Sequence, residues 1–350
     1  MIKQLSILYR TFFNTRRIIN FFPGRDKHRV DIPEHDSFLR DQEVQWWYWT
    51  GHLNTPDGRR FGYELVFFGF ASWIIFKDVL AQAAITDSEG KKFYFRGHMD
   101  FMTLPRKIPD RFNLKMKDNG HTVMHAIGGD GQDTLEFNID GIKVKLNLDA
   151  SKKPVIHYNS MAHQYIYGGY TYYYSREQMF TRGSITIDGQ EFPVSGVSWF
   201  DRQYGDLFQS IFKGWQWFAM NFDDGRTVML YDFTRKYEAQ ESFGSVTISE
   251  QTHHLGPFDF TVRILKTWQS PHTDTLYPVE WQIEIDNKVY IVQPVIEDQE
   301  LRAEDEVWIG PEYWEGDCVI LENGTAAGSA YVELNGFGNK LFSLENGMGL

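Results

Sequence analysis

The sequence predicts an all-β protein built from antiparallel barrels or sandwiches. Asp-Gly or Asn-Gly dipeptides, which favour two-residue hairpin turns, occur nine times. Short runs of alternating apolar and polar residues lie between these turns, as expected for strands with one buried face. No helical period is evident after residue 30. Many short strands separated by turn signals are typical of antiparallel barrels and sandwiches.

The N-terminal segment, residues 1–30, differs from the rest of the chain in charge. It holds seven Lys and Arg residues and a single acidic residue, whereas the whole chain has a net charge of −12. Apolar residues at helical spacing, such as Leu5 and Leu8, predict a basic amphipathic helix that ends at Pro23. This helix either gives peripheral membrane association through residues 1–22 or packs on the protein body. The acidic remainder disfavours a nucleic-acid partner.

Beyond this segment, several runs predict individual strands. Residues 142–148 and 281–286 alternate strictly, so that the apolar residues of each run share one face. Residues 61–70 and 170–174 are aromatic and have no clean polar face. We expect these two strands to be partly covered on both faces.

The chain is long enough for about two domains. Of its 350 residues 42% are hydrophobic, and no apolar run is long enough to span a membrane. The boundary is expected near Pro193–Gly196, which divides the body into residues 31–195 and 196–350. A single cysteine, Cys318, precludes an intrachain disulfide and is typical of a reducing compartment, so we expect a cytoplasmic protein without an export signal. The oligomeric state is left open.

The sequence lacks the common signatures of cofactor and metal sites. It contains neither a glycine-rich phosphate loop nor a Gly-x-Ser-x-Gly nucleophile elbow. The spacing of His121 and His125 suits a metal ion only on a helix, whereas the flanking glycines predict a strand that separates them by about 13 Å. We therefore expect no metal ion and no cofactor.

An aromatic and acidic cluster in the second half of the chain suggests acid chemistry. Strand alternation places Trp215 and Trp217 on one face, and it places Asp232 on the same face as Leu230 in the next strand. If that face lines a barrel interior, burial raises the pKa of Asp232 and keeps it protonated near neutrality. A protonated carboxyl group beside aromatic rings suits protonation of an alkene, because the rings stabilise the resulting cation.

Ordinary structural roles account for the same residues. Asp232 can end its strand and form a surface ion pair with Arg235 or Lys236. The pair Asp201 and Arg202 can belong to a turn with a local ion pair, and the tryptophans can be plain core residues. Sequence alone leaves these alternatives open.

Several motifs occur in one order along the chain. They are Gln45–Leu53, Tyr174–Arg176, Ser195–Asp201, Gly214–Trp217, Tyr277–Trp281, Tyr313–Gly316 and Gly328–Gly336. Together they resemble the carotenoid 1,2-hydratase/AttH-like lipocalin family over roughly residues 40–337. The resemblance implies two tandem lipocalin-like β-barrels with a ligand cavity in or between them. Similar members act on apolar isoprenoids or polyenes, by hydrating a carotenoid end group or, in fungal relatives, by intramolecular Diels–Alder cyclisation.

The functional residues of the family carry over only in part. In hydratase members the segment equivalent to 201–205 reads Asp-His-Asn-Trp-Gly, and its His and Trp act with a Tyr-x-Asp pair on a later strand. This chain has Arg202 in place of that His and Tyr204 in place of that Trp. Leu230 replaces the Tyr, while Asp232 matches the acid. Arg202 cannot act as an acid or base near neutrality, since its pKa exceeds about 12.

Together these observations predict a cofactor-independent enzyme that hydrates, isomerises or cyclises a bulky apolar terpenoid or polyene in a β-barrel pocket. Asp232 is the predicted proton donor, and Asp201 with Arg202 anchors a substrate carbonyl or holds Asp232. For a pericyclic reaction, Arg202 or His52 would polarise an activating carbonyl. The predicted substrate-binding residues are Trp46, Tyr48, His52, Tyr204, Trp215, Trp217 and Leu230. The alternatives are a non-catalytic carrier of an apolar isoprenoid or lipid, and a carbohydrate module whose tryptophans stack on sugars.

Overall fold

Strands dominate the structure of this protein. The computed structural model describes residues 29–39, 42–71, 76–103, 110–160, 162–165, 169–206, 214–233, 239–302 and 312–337. Nearly all of the helix predicted over residues 1–30 lies outside these ranges. Within them the helices are short 3₁₀ turns at Glu34–Asp36, His157–Ser160 and Ala239–Glu241. None of the helices in the described ranges has the length and hydropathy that a bilayer crossing requires.

The described strands form two antiparallel sheets. The first contains β1 (Val44–Asn54), β2 (Arg60–Ala71), β3 (Phe76–Asp87), β4 (Lys92–Thr103), β5 (Phe112–Asp118), β6 (His121–Gly129), β7 (Gln132–Ile139), β8 (Ile142–Ala150), β9 (Val155–Ile156), β10 (His163–Gln164), β11 (Tyr170–Ile187) and β12 (Gln190–Asp206). The second contains β13 (Trp215–Phe222), β14 (Thr227–Asp232), β15 (Phe243–Ile248), β16 (Gln251–Leu255), β17 (Phe260–Gln269), β18 (Leu276–Ile285), β19 (Lys288–Pro294), β20 (Glu300–Leu301), β21 (Tyr313–Glu322) and β22 (Thr325–Asn335). The predicted all-β class is confirmed.

The two sheets have similar topologies, although the main path of the second sheet has one strand fewer. The first has the order β4-β3-β2-β1-β12-β11-β8-β7-β6-β5, so its first strand lies beside its last. The second has the order β16-β15-β14-β13-β22-β21-β19-β18-β17, with β13 beside β22. Each sheet curls around its own hydrophobic core into a barrel-like body. The tandem lipocalin-like barrels implied by the family resemblance are therefore confirmed.

The predicted turns and alternating strands occur where the sequence places them. Both residues have positive φ at Asn119-Gly120, Asp130-Gly131, Asp140-Gly141, Asp188-Gly189 and Asn323-Gly324, as type I′ hairpin turns require. In β8 the four aliphatic residues are buried and the polar residues between them are exposed. In β18 the buried residues include Trp281, Ile283 and Ile285, again as predicted.

The first sheet extends past the predicted domain boundary. Pro193 and Gly196 lie inside β12, which continues to Asp206, and the second sheet begins with Trp215. The division into 31–195 and 196–350 therefore cuts a strand. Pro193 is tolerated there because β1 pairs with β12 only from Ser195 onward, which leaves that part of the strand with one open edge.

A short segment ahead of β1 is anchored to the first barrel through Asp36. The Asp36 carboxylate accepts a hydrogen bond from the Tyr174 hydroxyl at 2.5 Å and pairs with Arg176 at 2.7 Å. Its backbone carbonyl accepts a hydrogen bond from the Trp47 indole at 2.7 Å. All four side chains are buried. The segment is thus held by a buried ion pair, a hydrogen bond to the same carboxylate and a neutral hydrogen bond to the backbone.

Replacing Asp36 by Asn should lower the free energy of unfolding by about 3–5 kcal/mol, because the buried Arg176 guanidinium loses its counter-charge. The matched control is Asp140→Asn, which removes an exposed partner 3.4 Å from Arg96. This control should change the free energy of unfolding by less than about 1 kcal/mol. Urea denaturation measures both values, and equal losses would contradict the role assigned to Asp36.

Candidate functional site

The two barrels pack together through aromatic side chains on one face of each sheet. This interface cluster consists of Val44, Trp46, Tyr48, Val66, Tyr165, Tyr173, Trp199, Trp215, Trp217, Ala219, Met229, Tyr231 and Phe233. Alternation separates it from the barrel cores, since Trp46 and Tyr48 belong to the interface while Trp47 and Trp49 belong to the first core. The outward faces of the barrels therefore form a third, shared core.

Three glutamates, which we call the glutamate cluster, meet at this interface; Glu64 and Glu315 are buried, and Glu333 is half-buried. Glu64 lies on β2 of the first barrel, and Glu315 and Glu333 lie directly opposite each other on β21 and β22 of the second. The Tyr48 hydroxyl of the first barrel donates a hydrogen bond to Glu315 Oε2 at 2.7 Å. Neither carboxyl oxygen of Glu64 has a hydrogen-bond partner among the described residues. Unpaired buried oxygens of this kind are costly if charged.

Burial sets the protonation state of the glutamate cluster. Loss of water penalises the charged form, and repulsion among the carboxyl groups adds to this, so the pKa values of Glu64 and Glu315 lie well above their usual range. Burial, with a further contribution from the charge of Asp201, raises the pKa of Glu333 to about 8. The cluster is therefore protonated at neutral pH, and each member can donate a proton or a hydrogen bond.

Phenol groups surround the glutamate cluster. Burial raises the pKa values of Tyr48, Tyr313 and Tyr331 well above their usual range, and the neighbouring glutamates add to the effect. The Tyr313 hydroxyl donates a hydrogen bond to the side-chain oxygen of Gln82. These phenols are neutral, so they add polarity to the interface without adding charge, and those of Tyr48 and Tyr313 donate hydrogen bonds.

Asp201 on β12 faces the same interface in a different environment. Its carboxylate accepts hydrogen bonds from Tyr173 at 2.5 Å, from Ser175 at 2.6 Å and from Trp199 at 2.7 Å. Burial raises the pKa of Asp201 and the three donors lower it, with a net value of about 7. A carboxyl group poised at this value can take up or release a proton at neutral pH.

Indole rings lie beside these acids. Trp217 on β13 is the direct cross-strand neighbour of Glu333. Its ring meets Tyr48 edge to face with the centroids 5.3 Å apart, and it meets Trp199 in the same way at 6.1 Å. The faces of indole rings attract cations. A protonated carboxyl group and a cation-stabilising ring are thus neighbours on one face.

A second polar group joins the barrels at Asp317 on β21. His52 Nδ1 lies 2.8 Å from Asp317 Oδ1, and Arg60 Nε donates to Oδ2 at 2.9 Å. Burial alone would raise the pKa of Asp317, but Arg60 and His52 hold it below its usual range. Burial also lowers the pKa of His52, so this imidazole is neutral at neutral pH. A side chain at Gly62 would collide with Asp317, so glycine is needed for this approach.

The structure brings part of the predicted site together. Trp46, Tyr48, Trp215 and Trp217 all belong to the interface cluster, and Asp201 binds the Trp199 indole within it. The prediction that the two tryptophans of β13 share one face is confirmed. His52 binds the second barrel through Asp317.

Asp232 lies on the face that alternation predicts, but this face points away from the interface. Leu230 belongs to the core of the second barrel, and the Asp232 carboxylate accepts a hydrogen bond there from Gln216 Nε2 at 2.9 Å. Gln216 alternates with Trp215 and Trp217 along β13, so Asp232 and the tryptophans lie on opposite faces of the sheet. The predicted pairing of Asp232, as acid, with these rings is wrong. Asp232 is also buried rather than at the surface.

Arg202 and Tyr204 face the interior of the first barrel and not the interface. The Arg202 guanidinium donates to the carbonyl oxygen of His35 at 3.0 Å and lies 4.0 Å from the centroid of the Trp47 ring. The Tyr204 hydroxyl lies 2.7 Å from His35 Nδ1. Asp201 and Arg202 are neighbours on one strand, so their side chains point to opposite faces. They do not form the predicted polar pair.

Sequence reasoning overlooked the glutamate cluster, although each member lies in a motif that it singled out or next to one. The available signal was alternation, because Glu315 and Glu333 each follow a tyrosine by two residues and so share a face with a phenol. Nothing local indicates that Glu64, on the other barrel, packs against that face.

Comparisons with known proteins place these features in a family context. The family model described as AttH-like matches residues 23–337. Kievitone hydratase from Fusarium solani subsp. phaseoli is 24% identical over an alignment of 215 positions, which covers 57% of this chain and 59% of that protein, so the match spans less than two thirds of the relative.

Two solved structures have the same fold. An AttH protein from Nitrosomonas europaea has a TM-score of 0.77 and 22% identity, covering 91% of this chain and 100% of the other. Kievitone hydratase from Nectria haematococca has a TM-score of 0.65 and 17% identity, covering 88% of this chain and 93% of the other. At these identities the likeness concerns the fold alone.

The raised pKa of Glu333 makes the stability of the protein depend on pH. The value is about 8 in the folded state against a reference of 4.5, so the stabilisation is complete below 4.5 and is lost as the pH rises through 8. We expect the urea midpoint to fall between pH values of about 5 and 9, and to fall less in Glu333→Gln, whose amide does not ionise. Equally steep falls in both proteins would contradict this assignment.

Proposed function

The chain belongs to the AttH-like family, and on that premise we propose that it is a cofactor-independent enzyme acting on a bulky apolar terpenoid or polyene. The enzyme protonates a carbon–carbon double bond at the interface between its barrels, and the product is hydrated, isomerised or cyclised. The observation that carries the proposal is the half-buried Glu333, which lies directly opposite Trp217 and whose pKa is raised to about 8.

Glu333 is the proposed proton donor, in place of Asp232. Transfer of its proton to one alkene carbon forms a C–H bond with the π electron pair. A carbocation remains at the other alkene carbon, and Glu333 becomes a carboxylate. The rings of Trp217 and Trp199 stabilise the positive charge while it exists. The remaining glutamates stay neutral, so they do not hold the carbocation as a fixed ion pair.

Asp201 is the proposed base. In hydration, a water oxygen bonds to the carbocation and its excess proton passes to Asp201, whose pKa of about 7 suits this exchange. When two carboxyl groups lie in environments that give them different pKa values, one can act as the acid and the other as the base. Loss of a proton from the carbon next to the cation would instead give isomerisation, and attack by a second double bond would give cyclisation.

An apolar substrate is supported by the lining of the interface. The interface, like the two barrel cores, is a buried hydrophobic cluster, and in it aromatic rings lie next to the acids. Aromatic rings bind extended hydrocarbons but supply few hydrogen bonds. The carboxyl and phenol groups therefore have to orient the substrate.

Hydration is favoured among the three reactions. The relative that is 24% identical over 215 residues is a hydratase by name. A hydratase needs both an acid and a base, and the interface contains a protonated Glu333 and a titrating Asp201. A pericyclic reaction would need neither.

A non-catalytic carrier is the second candidate, favoured by the aromatic lining taken alone. Such a protein would bind the same class of ligand and release it unchanged. It would have no use for a cluster of buried acids, which burial makes costly.

Glu333→Gln should lower kcat/KM for alkene hydration about 10²- to 10⁴-fold, the usual contribution of a positioned proton donor. The matched control is Glu300→Gln, which makes the same change at a buried glutamate that accepts hydrogen bonds from Ser270 and Thr273 away from the interface. Kievitone and a panel of terpenoid and carotenoid polyenes are the probes. Full activity in Glu333→Gln would remove it as the acid.

Ligand extraction distinguishes the enzyme from the carrier. Native mass spectrometry and organic extraction of protein from its own host should yield an apolar polyene or terpenoid. Incubation of the recovered compound with the protein in H₂¹⁸O should add one labelled water per hydrated double bond. An unlabelled product of unchanged mass but altered structure would indicate isomerisation or cyclisation. Recovery of the unaltered compound would favour the carrier.

A further inference from the structure

A chain of hydrogen bonds leads away from Asp201 to a buried histidine. Ser175 Oγ donates to Asp201 Oδ1 at 2.6 Å, and the same oxygen lies 3.0 Å from His157 Nε2. All three side chains are buried. The serine hydroxyl can donate and accept at once, so it links the carboxyl group to the imidazole without a gap.

The far side of His157 is open to a further proton transfer. Its Nδ1 atom is buried and has no hydrogen-bond partner among the described residues. The His157 ring packs against the Tyr173 ring with the centroids 4.2 Å apart and the planes tilted by 33°, and the centroid of the His254 ring lies 6.3 Å away. His254 lies on β16 at the exposed surface. The arrangement therefore links a buried carboxyl group to His157 and places an exposed imidazole next to that ring.

The proposed hydration reaction requires a path for protons between Asp201 and the surface. Each hydration removes a proton from Glu333 and delivers one to Asp201, so both groups end the cycle in the wrong protonation state. Asp201 is buried and therefore separated from bulk water. A cycle that repeats needs a route by which Asp201 loses its proton.

We propose that Ser175 and His157 form a proton relay between Asp201 and the surface at His254. This inference rests on the proposed function for its purpose but not for its test. It assigns Ser175 and His157 as proton carriers that never touch the substrate.

The relay step conserves protons. Protonated Asp201 passes its proton to Ser175 Oγ, while Ser175 passes its own proton to His157 Nε2. His157 then releases the proton on Nδ1 toward His254, which leaves a neutral imidazole and an ionised Asp201. Burial, with the nearby His254, lowers the pKa of His157 well below its usual range, so the imidazolium is only transient.

Other titratable groups near this route lie outside it. Tyr173 donates to the other oxygen of Asp201, and its own pKa is raised well above the usual range, so it keeps its proton. The charge of Glu177 raises the pKa of Asp201, and the charge of Asp201 raises the pKa of Glu333. Both effects act through charge alone. His163 is bound to Glu241 at 2.9 Å.

The relay is tested without substrate, by following the carboxyl stretch of Asp201 by infrared spectroscopy after a rapid pH jump across 7. Loss of the band in Asp201→Asn assigns it. His157→Phe and Ser175→Ala should slow deprotonation on the order of a hundredfold, the lower end of what a positioned acid–base group contributes. Ser175→Thr keeps the hydroxyl and should retain the fast rate, as should the control His163→Phe.

The deprotonation rate of Asp201 and the pH midpoint of its carboxyl band together test the relay. Ser175→Ala removes a donor that lowers the pKa of Asp201, so its midpoint should rise in addition to the slower rate. Unchanged rates with shifted midpoints would mean that Ser175 and His157 only hold Asp201, and would overturn the relay. If His157→Phe does not fold, the Ala and Thr variants of Ser175 decide alone. A failed relay leaves the Glu333→Gln assay unaffected, so the two proposals fail separately.

Discussion

A carboxyl group that loses its water must either be neutralised or be given hydrogen-bond donors, and both solutions occur in the interface between the barrels. Glu64 and Glu315 follow the first course, because burial and mutual repulsion keep them protonated. Asp201 follows the second, with Tyr173, Ser175 and Trp199 as donors. The contact between the barrels therefore determines which carboxyl groups carry protons, and any acid–base chemistry at this site depends on that contact.

Strand alternation places each predicted or proposed site residue either at this interface or in one of the two barrel cores. Adjacent residues on β12 separate completely, since Asp201 faces the interface while Arg202 binds backbone carbonyls inside the first barrel. The same division on β13 and β14 keeps Asp232 away from Trp217. Arg202 thus has a structural use here, and the proposed acid lies instead on the pair of strands that bring Glu315 and Glu333 together.

Local patterns predicted the fold well because they depend on short-range physics. Hairpin dipeptides such as Asp140-Gly141 adopt the positive φ values that their turns need, and the alternation of residues 142–148 is reproduced in burial. The site was harder to predict because it depends on pairing between distant strands. β1 pairs with β12 across the length of the first unit, and the contact of Tyr48 with Glu315 joins different barrels. Alternation could assign Asp232 to a face but could not say what that face meets.

Tandem barrels offer a route to buried acids that one barrel does not. The outward face of an antiparallel sheet is the usual place for polar side chains, because water covers it. Glu64, Glu315 and Glu333 occupy such outward positions, while the inward faces form mainly apolar cores. When a second barrel covers the face, these glutamates lose water at strand positions that alternation already allows. Their raised pKa values then follow from the docking of the barrels, so the same contact that buries the aromatic interface also creates its acidity.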